Sequence, residues 1–214
     1  MLSGGRATLD HFEAVFAASP DPWGTRSHRD EACKRRGILR LLGPRGTGRM
    51  LELGCGNGSN SRALARRTLH LHACDGAAAA LRHAARNLRG SGNVSLHRLV
   101  LPGRFPNDRF DAVVIAELLY YLDDRTLASV AREVRRTLRP GGRLVLCHHH
   151  TQFADAVQRQ SGLHRRFMAQ LGPGWPVVGR RRTARWKAAA FIRPLRAQVP
   201  EGANGARRSR RDIG

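Results

Sequence analysis

Leu51-Glu52-Leu53-Gly54-Cys55-Gly56-Asn57-Gly58-Ser59-Asn60 reads as a strand that ends in a glycine turn and opens a helix. Glycines at 54, 56 and 58 remove the β-carbons that would hold a ligand off the backbone. They also permit the positive φ angles of a tight strand-to-helix turn. The spacing is E-x-G-x-G-x-G. It departs from the dinucleotide pattern G-x-G-x-x-G, since Ser59 and Asn60 stand five and six positions after Gly54. Glu52, two residues before the first glycine, repels phosphates and suits a ligand with cationic groups.

Outward from this turn, Arg49 to Leu53 is the feeding strand and Ser59 to Arg67 the helix behind it. Leu69, Leu71 and Ala73 alternate with His70 and His72 in a second strand that ends at Cys74-Asp75, so Asp75 lies 21 positions beyond Gly54. The rhythm repeats with a helix from Ala77 to Leu88, a Gly90-Ser91-Gly92 break and a strand from Val94 to Leu99. Phe110 to Ala116 is a strand of the fully buried kind. A helix from Asp124 to Leu138 stops at Arg139-Pro140-Gly141-Gly142, and Arg143 to Cys147 is another buried strand. Helical spacing also covers Asp10 to Ala18 and Asp30 to Leu42, on either side of the turn Pro20-Asp21-Pro22-Trp23-Gly24. Thr151 to Leu171 reads as a last helix. Trp175 to Val178 and Arg185 to Ile192 form a closing antiparallel pair across a turn at Gly179 to Arg182. Strands alternating with helices imply an α/β fold: a mostly parallel seven-stranded sheet, helices on both faces and an antiparallel strand near the C-terminus. The expected organisation is a helical cap over residues 1–48, a ligand-binding domain over 49–196 and a disordered basic tail over 197–214.

At 214 residues the chain suits one domain with a single sizeable core. Its hydrophobic fraction of 41% contains no long apolar run, so no membrane-spanning helix is expected. Met1 to Asp10 lacks the apolar stretch of a secretory signal, which makes the cytoplasm the expected location. Cys33, Cys55, Cys74 and Cys147 are scattered without a C-x-x-C pair, pointing to reduced thiols and no metal site. A net charge of +22 invites an anionic partner such as RNA or phospholipid. Only Lys34 and Lys187 among the 38 basic residues are lysines, and glycine and proline are abundant, a pattern of GC-rich coding. The basic segments hold few rings on which bases could stack, so nucleic acid is an open but disfavoured partner.

The electrostatics at Glu52 favour S-adenosylmethionine (SAM), which carries a sulfonium and an ammonium but no phosphate, over NAD. The chain also resembles the class I SAM-dependent methyltransferases. Leu51 to Gly58, Asp75, Phe110-Asp111-Ala112-Val113-Val114 and Leu138-Arg139-Pro140-Gly141-Gly142 carry that resemblance. Asp21-Pro22-Trp23, Glu31-x-x-Lys34 and Ala116 to Leu122 (AELLYYL) are similar to segments of the NodS-like nodulation N-methyltransferase group. The likeness spans about residues 8 to 192 and implies a Rossmann-like fold.

What the resemblance implies for the cofactor falls on Glu52, Gly54, Cys55, Gly56, Asn57, Gly58, Asp75, Val100, Leu101 and Ala116. The glycine loop would wrap the methionine part of SAM and Glu52 would sit near its ammonium. Asp75 would accept hydrogen bonds from the ribose hydroxyls. Many class I enzymes carry an acid for the adenine amine, but the matching position here is Val100, so apolar walls such as Leu101 take that part.

Methyl transfer needs an aligned, desolvated nucleophile more than elaborate side-chain chemistry. Glu117, Tyr120 and Tyr121 follow the fourth strand, and His148-His149-His150 follow the fifth, where open parallel sheets place their crevice. The catalytic candidates are therefore Glu117, Tyr120, Tyr121, His148 and His149, as charge partner, aromatic wall or proton acceptor. Adjacent residues of a strand point to opposite faces, so at most two of the three histidines converge and metal binding is not expected. Plainer roles stand beside these: the tyrosines as core caps, Cys55 and Cys74 as small buried residues, Trp23 as packing rather than lid.

The expected acceptor is a small polar molecule, an amine of the amino-sugar type as the resemblance implies. RNA or another macromolecule is the second reading. Against it, an [N/D]-P-P-[Y/F/W] element of adenine-N6 enzymes is replaced here by Ala116-Glu117-Leu118-Leu119. A non-catalytic SAM-binding module is the third.

Overall fold

Strand β1 (Thr47–Leu53) lies inside the sheet, paired in parallel with β2 (Thr68–Asp75) on one side and β4 (Phe110–Ala116) on the other. Beyond β2 lies β3 (Val94–Arg98), and beyond β4 lies β5 (Leu138–His149), both parallel to their neighbours. Strand β7 (Trp186–Ile192) adds antiparallel to β5, and β6 (Val177–Arg182) pairs antiparallel with β7. The order β3-β2-β1-β4-β5-β7-β6 is the seven-stranded, mostly parallel α/β sheet read from the sequence. The computed structural model describes residues 7–195, so the basic tail proposed for 197–214 lies outside the described residues.

The helices are α1 (Leu9–Ala18), α2 (Arg29–Leu41), α3 (Ser61–Ala65), α4 (Ala78–Asn87), α5 (Asp124–Thr137) and α6 (Leu163–Leu171). Side chains alternate across a strand, so each strand feeds two cores. Leu51, Leu53, Val113, Ile115, Leu144 and Leu146 meet α5 and α6 on one face. Met50, Ala112, Val114, Val145 and Cys147 meet α2 and α3 on the other. Helix α1 packs onto α4 through Phe16, Ala77, Ala79 and Ala80.

Helix α5 shows how the sequence specifies these contacts. Asp123 caps it by accepting from the Thr126 amide at 2.8 Å. Leu127, Val130, Ala131 and Val134 repeat at helical spacing and are buried against the sheet. Burying each of the larger side chains contributes roughly 2 kcal/mol. The helix ends at Thr137 and β5 begins at once, with a register shift between Phe110 and Ala112 where the Pro-Gly-Gly turn had suggested a break.

Other boundaries move for local reasons. The helix read over Ser59 to Arg67 contracts to Ser61–Ala65. Leu69, read as facing inward with Leu71 and Ala73, is exposed at the start of β2. The helix read over Thr151 to Leu171 survives only as α6. Before it, the Val157 and Gln158 amides donate to the Tyr120 carbonyl at 2.8 and 2.9 Å, and Gln152 Oε1 accepts from the Gln160 amide. Phe153 and Val157 there face a cavity instead of a helical seam. The hairpin turn falls at 183–185 rather than Gly179 to Arg182, because Arg180, Arg181 and Arg182 extend along the outer strand and Thr183 Oγ1 accepts from the Arg185 and Trp186 amides.

Candidate active site

The sheet order reverses at β1, with β2 on one side and β4 on the other, and this switch opens a crevice at the carboxyl ends of the strands. A cavity of about 560 Å³ occupies it. Gly54 follows β1, Asp75 ends β2, Leu99 to Leu101 follow β3, Ala116 and Glu117 end β4, and His149 ends β5; all line this one space. Phe12 and Phe16 of α1, with Trp23 after it, form the opposite wall.

On the β1–β2 side the Asp75 carboxylate accepts from the Gly56 amide at 2.8 Å and the Ala77 amide at 2.9 Å. Burial raises its pKa above the usual carboxylate range, although the amides of Ala77, Gly56 and Gly76 oppose the rise. Gly54, Gly56 and Gly58 all have positive φ, as the turn requires. A β-carbon on Gly56 would come within 3.3 Å of Phe16 Cζ, and one on Gly58 within 3.2 Å of Ala84 Cα. The first would fill the slot between loop and α1, and the second would push α4 away. Val100, Leu101 and Ala116 line the same cavity and supply its apolar walls. A bare loop, a carboxylate opposite it and apolar walls without arginine fit a cationic nucleoside such as SAM better than a pyrophosphate cofactor.

Asn57 and Cys55 line the cavity, whereas Glu52 departs from the sequence expectation. Glu52 does not line the cavity. It shares a face with Met50, so it points under the loop toward α3, where its Oε2 accepts from Ser61 Oγ at 2.5 Å and it is 1% exposed. Burial lifts its pKa to about 8, against the hydrogen bond from Ser61. Asn57 lines the cavity but its side chain is committed: Nδ2 donates to Pro20 O and Asp21 Oδ1, and Oδ1 accepts from Ser59 and Thr25. Cys55 is buried with its thiol pushed well up by burial.

The Glu52 shift gives a stability prediction. Its folded pKa exceeds its unfolded value, so the folded state holds more protons between about pH 4.5 and about pH 8. The contribution is fully present below that window and is lost as pH rises through it, by at most about 1.4 kcal/mol per pH unit. Glu52→Gln keeps an oxygen for Ser61 and removes the titration. Denaturant midpoints measured across the window should show the variant gaining on the wild type as pH rises. A constant difference between the two would refute the assignment. The comparison cancels the buried histidines His148 and His164, which both chains share.

On the β4–β5 side Glu117 has φ +53°, a left-handed backbone rare for a residue with a side chain. That turn aims its carboxylate back over the strand ends. Oε1 lies 2.8 Å from Lys34 Nζ, and Oε2 accepts from Tyr120 Oη at 3.0 Å and from the His149 amide at 3.2 Å. Lys34 also meets Glu31 Oε1 at 2.7 Å and is 3% exposed. Burial disfavours its charge, but Glu117 and Glu31 together hold its pKa above the ordinary lysine value. His149 Nε2 lies 3.4 Å from Glu31 Oε1. Tyr120 is pushed well above the ordinary phenol range by burial and then by the Glu117 charge. Tyr121 rises to about 12, chiefly through burial.

Glu117, Tyr120, Tyr121 and His149 are thus brought together, and His148 is separated from them. Its ring points to the opposite face, fully buried, with Nδ1 2.9 Å from His164 Nε2 and Nε2 accepting weakly from the Leu119 amide. Burial pushes His148 well below the usual imidazole range and His164 down to about 3. Glu31 and Lys34 belong to the cluster although the sequence marked them only as an E-x-x-K segment. An i,i+3 acid–base pair on a helix beside the strand ends was the available signal.

The charge of the lining is distinctive. Among the described residues, Glu31, Asp75, Glu117, Asp123 and Asp155 line the cavity with one lysine, Lys34, and no arginine. A lining of 35 residues drawn at the chain's average would hold about six arginines.

Residues 50–142 match a family model described as a methyltransferase domain. Over 125 residues the chain is 32% identical to an uncharacterized methyltransferase of Mycobacterium tuberculosis, covering 58% of this chain and 59% of that protein. Over 137 residues it is 33% identical to a demethylmenaquinone methyltransferase of Clavibacter sepedonicus, covering 63% and 55%. The chain therefore spans less than two thirds of the length of these curated relatives. Among solved structures, the N-methyltransferase NodS of Bradyrhizobium japonicum in complex with S-adenosyl-L-homocysteine superposes with a TM-score of 0.74 at 23% identity, over 87% of this chain and 98% of that one. Among the described residues no helix is long and apolar enough to cross a membrane.

Proposed function

We propose that the chain, whose residues 50–142 match a methyltransferase domain, transfers a methyl group from SAM to an amine nitrogen of a small polar acceptor, of the amino-sugar kind. The observation that supports this reading is a cavity lined by acids and, among the described residues, by no arginine, in a chain of net charge +22. Carboxylates there attract a protonated amine and repel phosphates, which disfavours RNA and sugar phosphates as acceptors.

SAM, when bound, supplies an electrophilic methyl group on its sulfonium. Asp75, the amides of the glycine loop, Val100, Leu101 and Ala116 are the residues assigned to hold it, and the segment through residue 48 is assigned as the cap over it. Glu31 and Glu117 carry two negative charges against the one positive charge of Lys34, leaving a net −1 for an incoming ammonium. Tyr120 fixes the Glu117 carboxylate, and Tyr121 offers an aromatic face to the cation. An ammonium must lose one proton before it can attack, and His149, the one imidazole lining the cavity among the described residues, is assigned to take it. Apolar Phe12, Phe16 and Trp23 keep water from the reacting groups.

The test is a labelled-methyl assay against amines, amino sugars, alcohols and RNA, after calorimetric titration with SAM. Amines should accept label and RNA should not. Label on RNA alone would overturn the acceptor assignment, and SAM binding without transfer to any compound would support a binding module instead.

A further inference from the structure

We infer that Asp155 selects acceptors that carry a second positive charge, remote from the nitrogen that is methylated. This rests on the amine reading above and extends it to the outer part of the same cavity.

Most acids away from the cavity are matched with arginine. Glu13 faces Arg82, Asp30 faces Arg185, Asp108 faces Arg49, Asp111 faces Arg139 and Glu133 faces Arg136. Asp155 lines the cavity, and among the described residues its carboxylate meets the His11 ring only at the long distance of 4.0 Å, with about a third of its side chain exposed. Its main-chain carbonyl accepts from the Ala7 amide, which fixes the residue without using the carboxylate.

Aromatic rings connect this carboxylate to the inner cluster. Phe12 packs edge-on against Tyr121 with centroids 4.8 Å apart, Tyr121 meets Tyr120 at 4.4 Å, and Phe153 lies 5.5 Å from Tyr120. Tyr121 lines the same cavity as Asp155 and Glu117, and its phenol is raised chiefly by burial, with the charges of Asp155 and Glu117 adding to the rise. A cavity lined by both carboxylates and by these rings is suited to a dication: one ammonium reacts beside Glu117, and the other rests unreacted against Asp155. A neutral or singly charged acceptor leaves the outer carboxylate without its partner.

The discriminating experiment compares 1,4-diaminobutane with butylamine as acceptors for the wild type and for Asp155→Asn. The wild type should favour the diamine, mainly through KM, by about tenfold, the size of one charge-assisted contact. Asp155→Asn should erase the preference by raising the diamine KM about tenfold, with a far smaller change in the butylamine KM. Equal use of both amines by the wild type, or an equal effect of the variant on both, would overturn the assignment while leaving amine methylation in place. A weakened SAM affinity would make Asp155 a cofactor residue and likewise overturn it. If neither amine is bound or methylated by the SAM-loaded wild type, the amine reading falls and this inference with it. Thermal melting of the variant guards against misfolding, because the backbone bond to Ala7 is retained.

Discussion

Asp75→Ala should weaken SAM binding at least about a hundredfold, measured by calorimetric titration, if the carboxylate holds both ribose hydroxyls as proposed. The carboxylate has a second duty that adds to the loss. It holds the Gly56 and Ala77 amides at 2.8 and 2.9 Å, so the alanine variant also slackens the loop that faces it. Melting temperature separates the two duties. A variant that stays folded but does not bind SAM supports the ribose role, whereas binding within twofold of wild type removes Asp75 from the cofactor site. Cofactor binding should also fail before folding does, since the core strands β1 and β2 are paired along their whole length without this side chain.

Lys34→Met should cost about 2–3 kcal/mol of stability, since removing one member of a buried ionic cluster leaves the others uncompensated. Among the described residues, the lysine is the only cation within hydrogen-bond reach of the Glu31 and Glu117 pair, at 2.7 and 2.8 Å, apart from the His149 ring. Without it, two carboxylates face one another near the acceptor position. One of them should then take up a proton near neutral pH, removing the negative charge meant for the substrate. Methyl transfer should fall steeply, with the loss growing as pH falls. Adding Glu31→Gln should restore part of the stability by relieving the repulsion, a coupling that a double-mutant cycle measures directly. Additive losses in that cycle would show that the three groups do not act as a unit.

The cofactor side was legible in the chain because its determinants are local. A glycine turn after a strand, and an acid at the end of the next strand, are fixed by spacing alone. Glu52 was misplaced because strand parity matters more than proximity in sequence. Met50 and Glu52 share one face, and that face meets α3, so the carboxylate finds Ser61. The acceptor side depended on contacts the sequence does not announce. Glu117 meets Lys34 across 83 positions, and only the folding of α2 over the β4–β5 ends brings them together. The parity rule correctly limited the histidines, but not which of them faced the cavity; α6 settled that by offering His164 to His148. The stretch from Thr151 failed as a helix because its apolar residues serve a cavity, whose walls need no 3.6-residue period.

The matched segment begins at residue 50, yet its surroundings do not respect that boundary. Buried Asn57 spends both donor and acceptor capacity on Pro20, Asp21 and Thr25, and Glu13 receives the Ala79 amide at the start of α4. Lys34 and Phe16 likewise reach into the chemistry from outside the segment. Modularity in this molecule is therefore genealogical rather than mechanical. The matched segment carries the recognisable pattern, but a chain cut before residue 49 would keep that pattern and lose the hydrogen bonds that hold its glycine loop in shape.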